Sequence, residues 1–324
     1  MQVLCGIDIG GTKCAISLGI EHGDSITILD MIQFKTNIED FAANLALIMQ
    51  HLESLLKKHA ATPRAIGIIC GGPLDRERGY ILSPPNLKQW GEVAIVAPFK
   101  KKFSIPVSLR NDADACTLAE WKLGNGRGYE HMVFLTFGTG MGAGLIFNGQ
   151  LYTGFSGLAG EIGHIRIAED GPLGHGKHGS FEGFCSGGGI AHLAKERAKQ
   201  AISKGNPPLF CPDIESLNAI DAKSVAEACR EGDPLACDIM QTVGKSLGKG
   251  ISLIIDMLNI PVIVIGSIYI RQMDLLKDAM WDTIHKEALS ESARDCSILP
   301  AGLGEDLGNY AALYTAKEGV DYVQ

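Results

Sequence analysis

The sequence predicts an α/β protein of two lobes, and three observations predict it. A glycine turn between two apolar, strand-like runs occurs twice, at Asp8-Ile9-Gly10-Gly11-Thr12-Lys13 and at Phe137-Gly138-Thr139-Gly140-Met141-Gly142. After the first turn an amphipathic helical pattern leads back into an apolar strand. Late in the chain, a long apolar helical pattern ends near Asn259 and is followed by a core strand over Val262–Ile265.

The elements follow in order. Residues 3–9 and 14–18 flank the first turn and 132–137 and 143–147 the second, so each reads as a glycine-closed hairpin. Phe41, Leu45, Ile48, Leu52 and Leu55 recur at three- and four-residue spacing, with Lys57 and Lys58 after them, which predicts a helix between Asn37 and His59. Pro63 ends it, and residues 65–70 form a strand that runs into Gly71-Gly72-Pro73-Leu74-Asp75; helix to parallel strand is a crossover, which makes this lobe α/β. Residues 80–90 read as loop, 105–109 as a strand, 113–123 as a helix and 124–128 as a linker. The order then restarts near residue 131, with helical patterns over 187–201, 222–259, 272–290 and 307–317 and a loop over 207–221. The expected division is residues 1–112, with the last helix (305–324) packing back on them, against residues 113–304. Two such hairpins suit a duplicated domain, although glycine hairpins are common enough that the loops alone leave chance repetition open.

Composition narrows the class. In 324 residues, 46% are hydrophobic and 20% charged, an ordinary globular balance with ample material for two cores. The 40 glycines cluster at the turns, where only glycine takes a positive φ without steric cost. A net charge of −8 argues against a nucleic-acid surface, which needs clustered Lys and Arg. Nine cysteines, an odd number with no CxxC pair, read as reduced thiols of a cytoplasmic protein. The chain opens directly into a strand, so no signal peptide is expected. Residues 251–270 include Asp256, Asn259, Pro261 and Gly266, so this window reads as a core helix and strand rather than a membrane span.

The first turn carries chemistry. Consecutive N–H groups of Gly10, Gly11 and Thr12, the Thr12 hydroxyl and Lys13 form an array suited to phosphate oxygens. Asp8 can hold a hydrated Mg²⁺ through water, since magnesium takes few carboxylates and keeps several waters. Thr139 and Gly140 offer a second such loop. The spacing is not that of a Walker A loop, nor is there a GxGxxG opening a long helix, so a dinucleotide fold is disfavoured. One loop in each half points to a nucleotide held between two lobes.

With the first loop, Gly71-Gly72-Pro73-Leu74-Asp75, Pro85-Asn86, Asn111-Asp112-Ala113, Gly138-Thr139-Gly140-Met141-Gly142 and Gly157-Leu158-Ala159-Gly160-Glu161-Ile162-Gly163-His164 in this order, the chain resembles the ROK family of sugar kinases. The resemblance covers residues 3 to about 310 and implies the actin/hexokinase-like, ribonuclease H-like fold, with mixed sheets and a cleft for ATP and a hexose. It implies that Asp112 is the general base. A carboxylate accepting the proton of a sugar hydroxyl aligns that oxygen for attack on the γ-phosphoryl group. Asp114 competes for this role, but also suits a cap or first-turn position of the following helix. By the same resemblance Glu161, His164, Glu182, Asn86 and Asn111 orient the sugar, and Gly72 lets the backbone approach it. Asp8, Gly10, Gly11, Thr12, Lys13, Thr139, Gly140 and Gly266 serve Mg²⁺ and ATP. The implied reaction is phosphorylation of O6 of glucose, with fructose, N-acetylmannosamine, N-acetylglucosamine or allose as alternative acceptors, by a homodimer without nucleic-acid or membrane partners. Relatives of this kind include DNA-binding regulators with a helix-turn-helix ahead of the first strand. Here Val3 already begins that strand, so a kinase is expected.

One departure concerns zinc. Many ROK proteins hold a structural zinc with the histidine of the GEIGH-like motif and three cysteines. The matching positions here are Leu173, His175 and Ser180. Leucine cannot ligate and serine ligates zinc poorly. His164, His175 and His178 are the remaining donors, and the expectation is a loop held by hydrogen bonds and packing, without zinc.

Overall fold

The first glycine turn joins β1 (Gln2–Ile9) to β2 (Lys13–His22), which pair antiparallel with Ile9 opposite Cys14. The computed structural model describes residues 1–174 and 176–321 and divides the chain into two units. One unit is Met1–Gly128 with the chain from Glu305 onward, and the other is Tyr129–Gly304.

In the first unit β2 continues into β3 (Ser25–Lys35), an antiparallel neighbour. Helix α1 (Phe41–Lys58) starts at Asp40, whose carboxylate accepts the Ala43 N–H at 3.0 Å, a cap worth ~1 kcal/mol. Its face bearing Ile48, Leu52 and Leu55 is buried. The chain then returns through β4 (Thr62–Cys70), parallel to β1. A small sheet of β5 (Leu74–Asp75), β6 (Tyr80–Leu82) and β7 (Glu92–Ala94) follows, so the segment expected as loop contains a short strand and a 3₁₀ turn over Pro85–Trp90. After α2 (Val96–Phe103), β8 (Val107–Asn111) pairs parallel with β4 and leads straight into α3 (Asp112–Leu123). The sheet order is β3-β2-β1-β4-β8.

The C-terminal helix, Leu307–Asp321, packs on β1, β4 and α3. Gly67 of β4 permits this, because a Cβ there would overlap the helix backbone at Ala312 and Ala316. Arg110 Nη2 of β8 meets Glu318 Oε2 of the helix at 2.8 Å. Helix α3, placed by the sequence in the other lobe, belongs to this unit, and the division falls after Gly128 because α3 packs on the C-terminal helix.

The second unit repeats the plan. Strands β9 (Met132–Leu135), β10 (Ala143–Phe147) and β11 (Gln150–Tyr152) form an antiparallel meander. The chain continues through β12 (Leu173–Gly174), β13 (Lys177–His178), α4 (Phe181–Phe184), α5 (Gly187–Ser203), α6 (Ala222–Arg230) and α7 (Pro234–Leu258). Strand β14 (Val262–Ile265), buried along its whole length, pairs parallel with β9, and after α8 (Ile268–Glu287) and α9 (Ser290–Asp295) strand β15 (Ser297–Pro300) pairs parallel with β14. The order β11-β10-β9-β14-β15 matches that of the first sheet position for position, with the same strand senses. Two glycine hairpins thus open two sheets of one topology.

Two differences from expectation have local causes. The helical pattern over 222–259 is broken where Gly232 takes φ 91° and Asp233 caps a new helix that begins with Pro234. Strand β3 was not anticipated, because it lies at a sheet edge and all but one of its residues are exposed or half-exposed. Among the described residues no helix is long and apolar enough to cross a membrane.

Candidate active site

In the first unit the expected residues gather at the C-terminal ends of β1, β4 and β8, three neighbouring strands. Ile9 pairs with Cys70, and Cys70 with Asn111. In open α/β sheets the crevice beyond such strand ends is where ligands sit. The turn after β1 is tight, with Gly10 N–H donating to Lys13 C=O at 3.0 Å. Thr36, just after β3, locks it. Its hydroxyl donates to Gly10 C=O at 2.7 Å and its N–H to Thr12 C=O at 3.1 Å. Gly11 lies flat on Asn86, and a Cβ there would come within 2.6 Å of the Asn86 Cβ. The phosphate-type turn and a residue expected to touch the sugar are therefore in direct contact.

Asn111 caps α3: its Oδ1 accepts the N–H groups of Ala113 at 2.9 Å and Asp114 at 3.3 Å. Its amide Nδ2 lies 3.4 Å from where a Gly72 Cβ would stand, so Gly72 leaves that donor uncovered. Asp112 opens α3 as an exposed carboxylate, with Oδ1 accepting the Ala113 N–H at 2.8 Å. Asp114, the competitor, is 9% exposed. Burial pushes its carboxyl up to about 6, while Arg110 and Arg76 pull the other way and Asp112 adds to the rise. Asp8, at the end of β1, is packed against Gly308, which has no room for a side chain there. Burial, and then the charge of Asp112, push Asp8 up to about 7, against the pull of Lys13.

In the second unit the turn after β9 is held from three sides. Gly142 N–H donates to Thr136 Oγ1 at 2.9 Å, Gly187 N–H to Gly138 C=O at 2.8 Å, and Gly266 N–H to Leu135 C=O at 2.9 Å. Thr139 is exposed at its tip. Ser267, after Gly266, has φ 54°, and its hydroxyl lies 3.4 Å from where a Gly138 Cβ would stand. Glu182, from α4, turns onto the same loop, and its Oε2 accepts the Met141 N–H at 3.0 Å. Glu161 precedes and His164 closes a short 3₁₀ turn over Ile162–His164; both are exposed, with His164 Nε2 3.9 Å from Glu161 Oε2. Gly163 within it is pressed against the Met141 carbonyl and the Glu182 Cβ. The structure thus brings Glu161, His164, Glu182 and the loop of Thr139 and Gly140 together within one unit.

Helix α5 starts at Gly187, where the helical pattern over 187–201 places it, but sequence reasoning did not show that this start lies against the second glycine loop. Ser186 caps it by accepting the Gly189 N–H at 2.9 Å, and Gly187 and Gly188 lie against Gly138 and Thr139. The signal was a serine followed by three glycines ahead of a helical pattern. Helix starts present unpaired N–H groups that favour anions. Of the weak zinc donors, His178 Nδ1 is bonded to the Gly171 carbonyl at 2.9 Å, Ser180 caps α4, and His175 lies outside the described residues. No cluster of three metal-ligating side chains occurs among the described residues.

A model of the ROK family matches residues 4–318. The chain belongs to the ROK family. It is 28% identical over 320 residues to a glucokinase of Streptomyces coelicolor, covering 98% of either chain. It is also 28% identical over 316 residues to an N-acetylmannosamine kinase of Haemophilus influenzae, covering 96% of this chain and 94% of that one. Among solved structures, a ROK family glucokinase from Streptomyces griseus in complex with glucose and AMPPNP aligns with a TM-score of 0.81 at 25% identity, over 98% and 99% of the two chains. A ROK family transcriptional regulator aligns with a TM-score of 0.83 at 24% identity, over 98% of this chain and 78% of its own, and shows the fold alone. This ROK protein has the actin/hexokinase-like α/β fold, with the repeated mixed sheets described above.

Proposed function

We propose that the protein is an ATP-dependent kinase that phosphorylates a hexose hydroxyl, with O6 of glucose as the first acceptor. The observation that carries this reading is the pairing of an exposed carboxylate, Asp112, just past β8, with a half-buried one, Asp8, near the end of β1, two strands that β4 alone separates. The charge of Asp112 adds to the rise of the Asp8 pKa. Asp112 accepts the proton of the attacking hydroxyl. As an exposed group at the mouth of α3 it is open to a substrate, whereas Asp114 is covered by protein.

A carboxylate that burial and a like charge make costly to ionise gains most from a cation beside it, so Asp8 fits a hydrated Mg²⁺. When bound, that ion neutralises charge on the phosphates. Asp8 holds it through water, while Lys13, the Thr12 hydroxyl and the amides of Gly10 and Gly11 take phosphate oxygens. In the second unit Thr139 and Gly140 do the same and Gly266 borders the nucleotide. Asn86, Glu161, His164 and Glu182 take sugar hydroxyls. Asn111 joins them through its Nδ2, because its Oδ1 is committed to the helix cap. Specificity rests on how a few polar groups seat each hydroxyl. The similarity to an N-acetylmannosamine kinase keeps amino sugars beside glucose as acceptors. We also propose a cytoplasmic homodimer without structural zinc.

The test is a coupled ADP-release screen across glucose, fructose, allose, mannose and their N-acetylated amino sugars. Sugar-dependent ADP formation with at least one of them supports the reading. None above the sugar-free rate overturns it.

A further inference from the structure

The second unit carries a pair of thiols that the proposed reaction does not use. Six of the nine cysteines are buried, and Cys116, Cys229 and Cys237 are partly exposed. Cys229 lies in the last turn of α6 and Cys237 at the end of the first turn of α7, on either side of the junction Glu231-Gly232-Asp233-Pro234. Their sulfurs are 2.7 Å apart, closer than the ordinary contact of two sulfur atoms, and Cys237 Sγ also donates to the Cys229 carbonyl at 3.2 Å.

The junction that holds them is fixed from several directions. The Asp233 carboxylate accepts the Ala236 N–H and the Leu209 N–H, each at 2.7 Å. Arg230, next to Cys229, grips Asp274 of α8 through Nε at 2.9 Å and Nη2 at 2.8 Å, and reaches the Arg271 carbonyl with Nη2 at 2.9 Å. Two partly exposed thiols in contact, on helices joined by this hydrogen-bonded junction, need only a short approach of the sulfurs to reach the ~2.05 Å of a disulfide.

We propose that Cys229 and Cys237 form a reversible disulfide in the folded protein, by exchange with a low-molecular-weight disulfide. Cys237 stands at the helix end that favours negative charge, and its thiolate attacks one sulfur of the small disulfide. A mixed disulfide forms on Cys237 and one small thiolate leaves. Burial, and then Cys237 itself, push the Cys229 thiol up to about 12, so it enters second. It gives its proton to the released thiolate, attacks the Cys237 sulfur and expels the second small thiolate. Two protein thiols are oxidised by two electrons and one small disulfide is reduced to two thiols. A small dithiol reverses the exchange.

The test uses the whole protein, reduced, desalted and incubated with glutathione disulfide. Remaining thiols are blocked with iodoacetamide and the protein is digested with trypsin without reduction. Trypsin cuts after Arg230, so the bond joins the peptides 224–230 and 231–245. The expected result is this linked pair as the main disulfide product, recovered from the monomer band of a non-reducing gel and abolished by dithiothreitol. With Cys229→Ser, Cys237 should instead retain a glutathione adduct. Recovery of both peptides in alkylated form, a linked pair confined to a band of doubled mass, or a different pair of cysteines predominating would each overturn the proposal.

Discussion

The Glu182 carboxylate accepts the backbone N–H of Met141 at 3.0 Å, so a side chain expected to grip the sugar is bonded to the loop expected to hold phosphate. A hydrogen bond to a charged acceptor is worth ~1.5–3 kcal/mol, and Gln in place of Glu keeps the shape while removing the charge. Glu182→Gln should therefore lower kcat/KM by about 10- to 100-fold and affect the nucleotide as well as the sugar. Steady-state kinetics with each substrate varied in turn check this. A defect confined to the sugar KM would show that the contact with Met141 has no consequence for the loop.

A second prediction concerns pH. Burial, then Asp112, raise the Asp8 carboxyl from 3.8 to about 7, with Lys13 opposing. A carboxyl with a folded pKa above its unfolded one takes up a proton on folding. Asp8 therefore subtracts stability progressively as pH rises from 3.8 to about 7, and by a constant amount above that. Asp8→Asn removes the slope. Melting temperatures of the two proteins, measured across this range, should diverge in favour of the variant and then run parallel. Curves parallel throughout would contradict the shift. Because an ion needs the ionised carboxylate, affinity for magnesium nucleotide should fall below pH about 7 in the wild type and be weak at every pH in the variant.

Packing gives a third. A Cβ at Gly67 overlaps the backbone of the C-terminal helix at Ala312 and Ala316, so neither side can yield by turning a side chain. Gly67→Val should cost at least ~1–3 kcal/mol, read as a fall in the melting temperature of several degrees. An unchanged melting curve would show that the helix shifts freely.

The loop beside the 3₁₀ turn gives a fourth. Leu173 cannot ligate, the Ser180 hydroxyl accepts the Gly183 N–H at 3.1 Å and reaches the Gly174 carbonyl at 3.3 Å, and His178 is bonded to Gly171. Purified protein should carry no stoichiometric zinc after dialysis and should melt at the same temperature with and without a chelator. Metal analysis near one zinc per chain would contradict this.

The legible parts of the sequence were those where pattern and burial coincide. Strands β1, β9 and β14 are buried along nearly all their length and read as apolar runs, and α7 ends where Asn259 takes the left-handed conformation that suits it. Strand β15 was missed because its four residues sit at a sheet edge and end in proline, which leaves no alternation to detect. The site was legible only as separate motifs. Asp8 and Asp112 are far apart in sequence, and they interact because β4 alone separates β1 from β8 in the sheet. No periodicity reports that order. Likewise the contacts of Gly11 with Asn86 and of Glu182 with Met141 arise from tertiary packing, while the resemblance supplied only the roles.

The central claim is that Asp112 takes the proton from the sugar hydroxyl. The most direct test compares wild type, Asp112→Asn and Asp114→Asn in sugar-dependent ADP release, with sugar affinity measured separately by calorimetry. The account predicts that Asp112→Asn loses ~10²–10⁴-fold in kcat while binding sugar within a few fold of wild type, and that Asp114→Asn keeps most of its rate. An Asp112→Asn enzyme that turns over at the wild-type rate, or a collapse of kcat in Asp114→Asn alone, would contradict it.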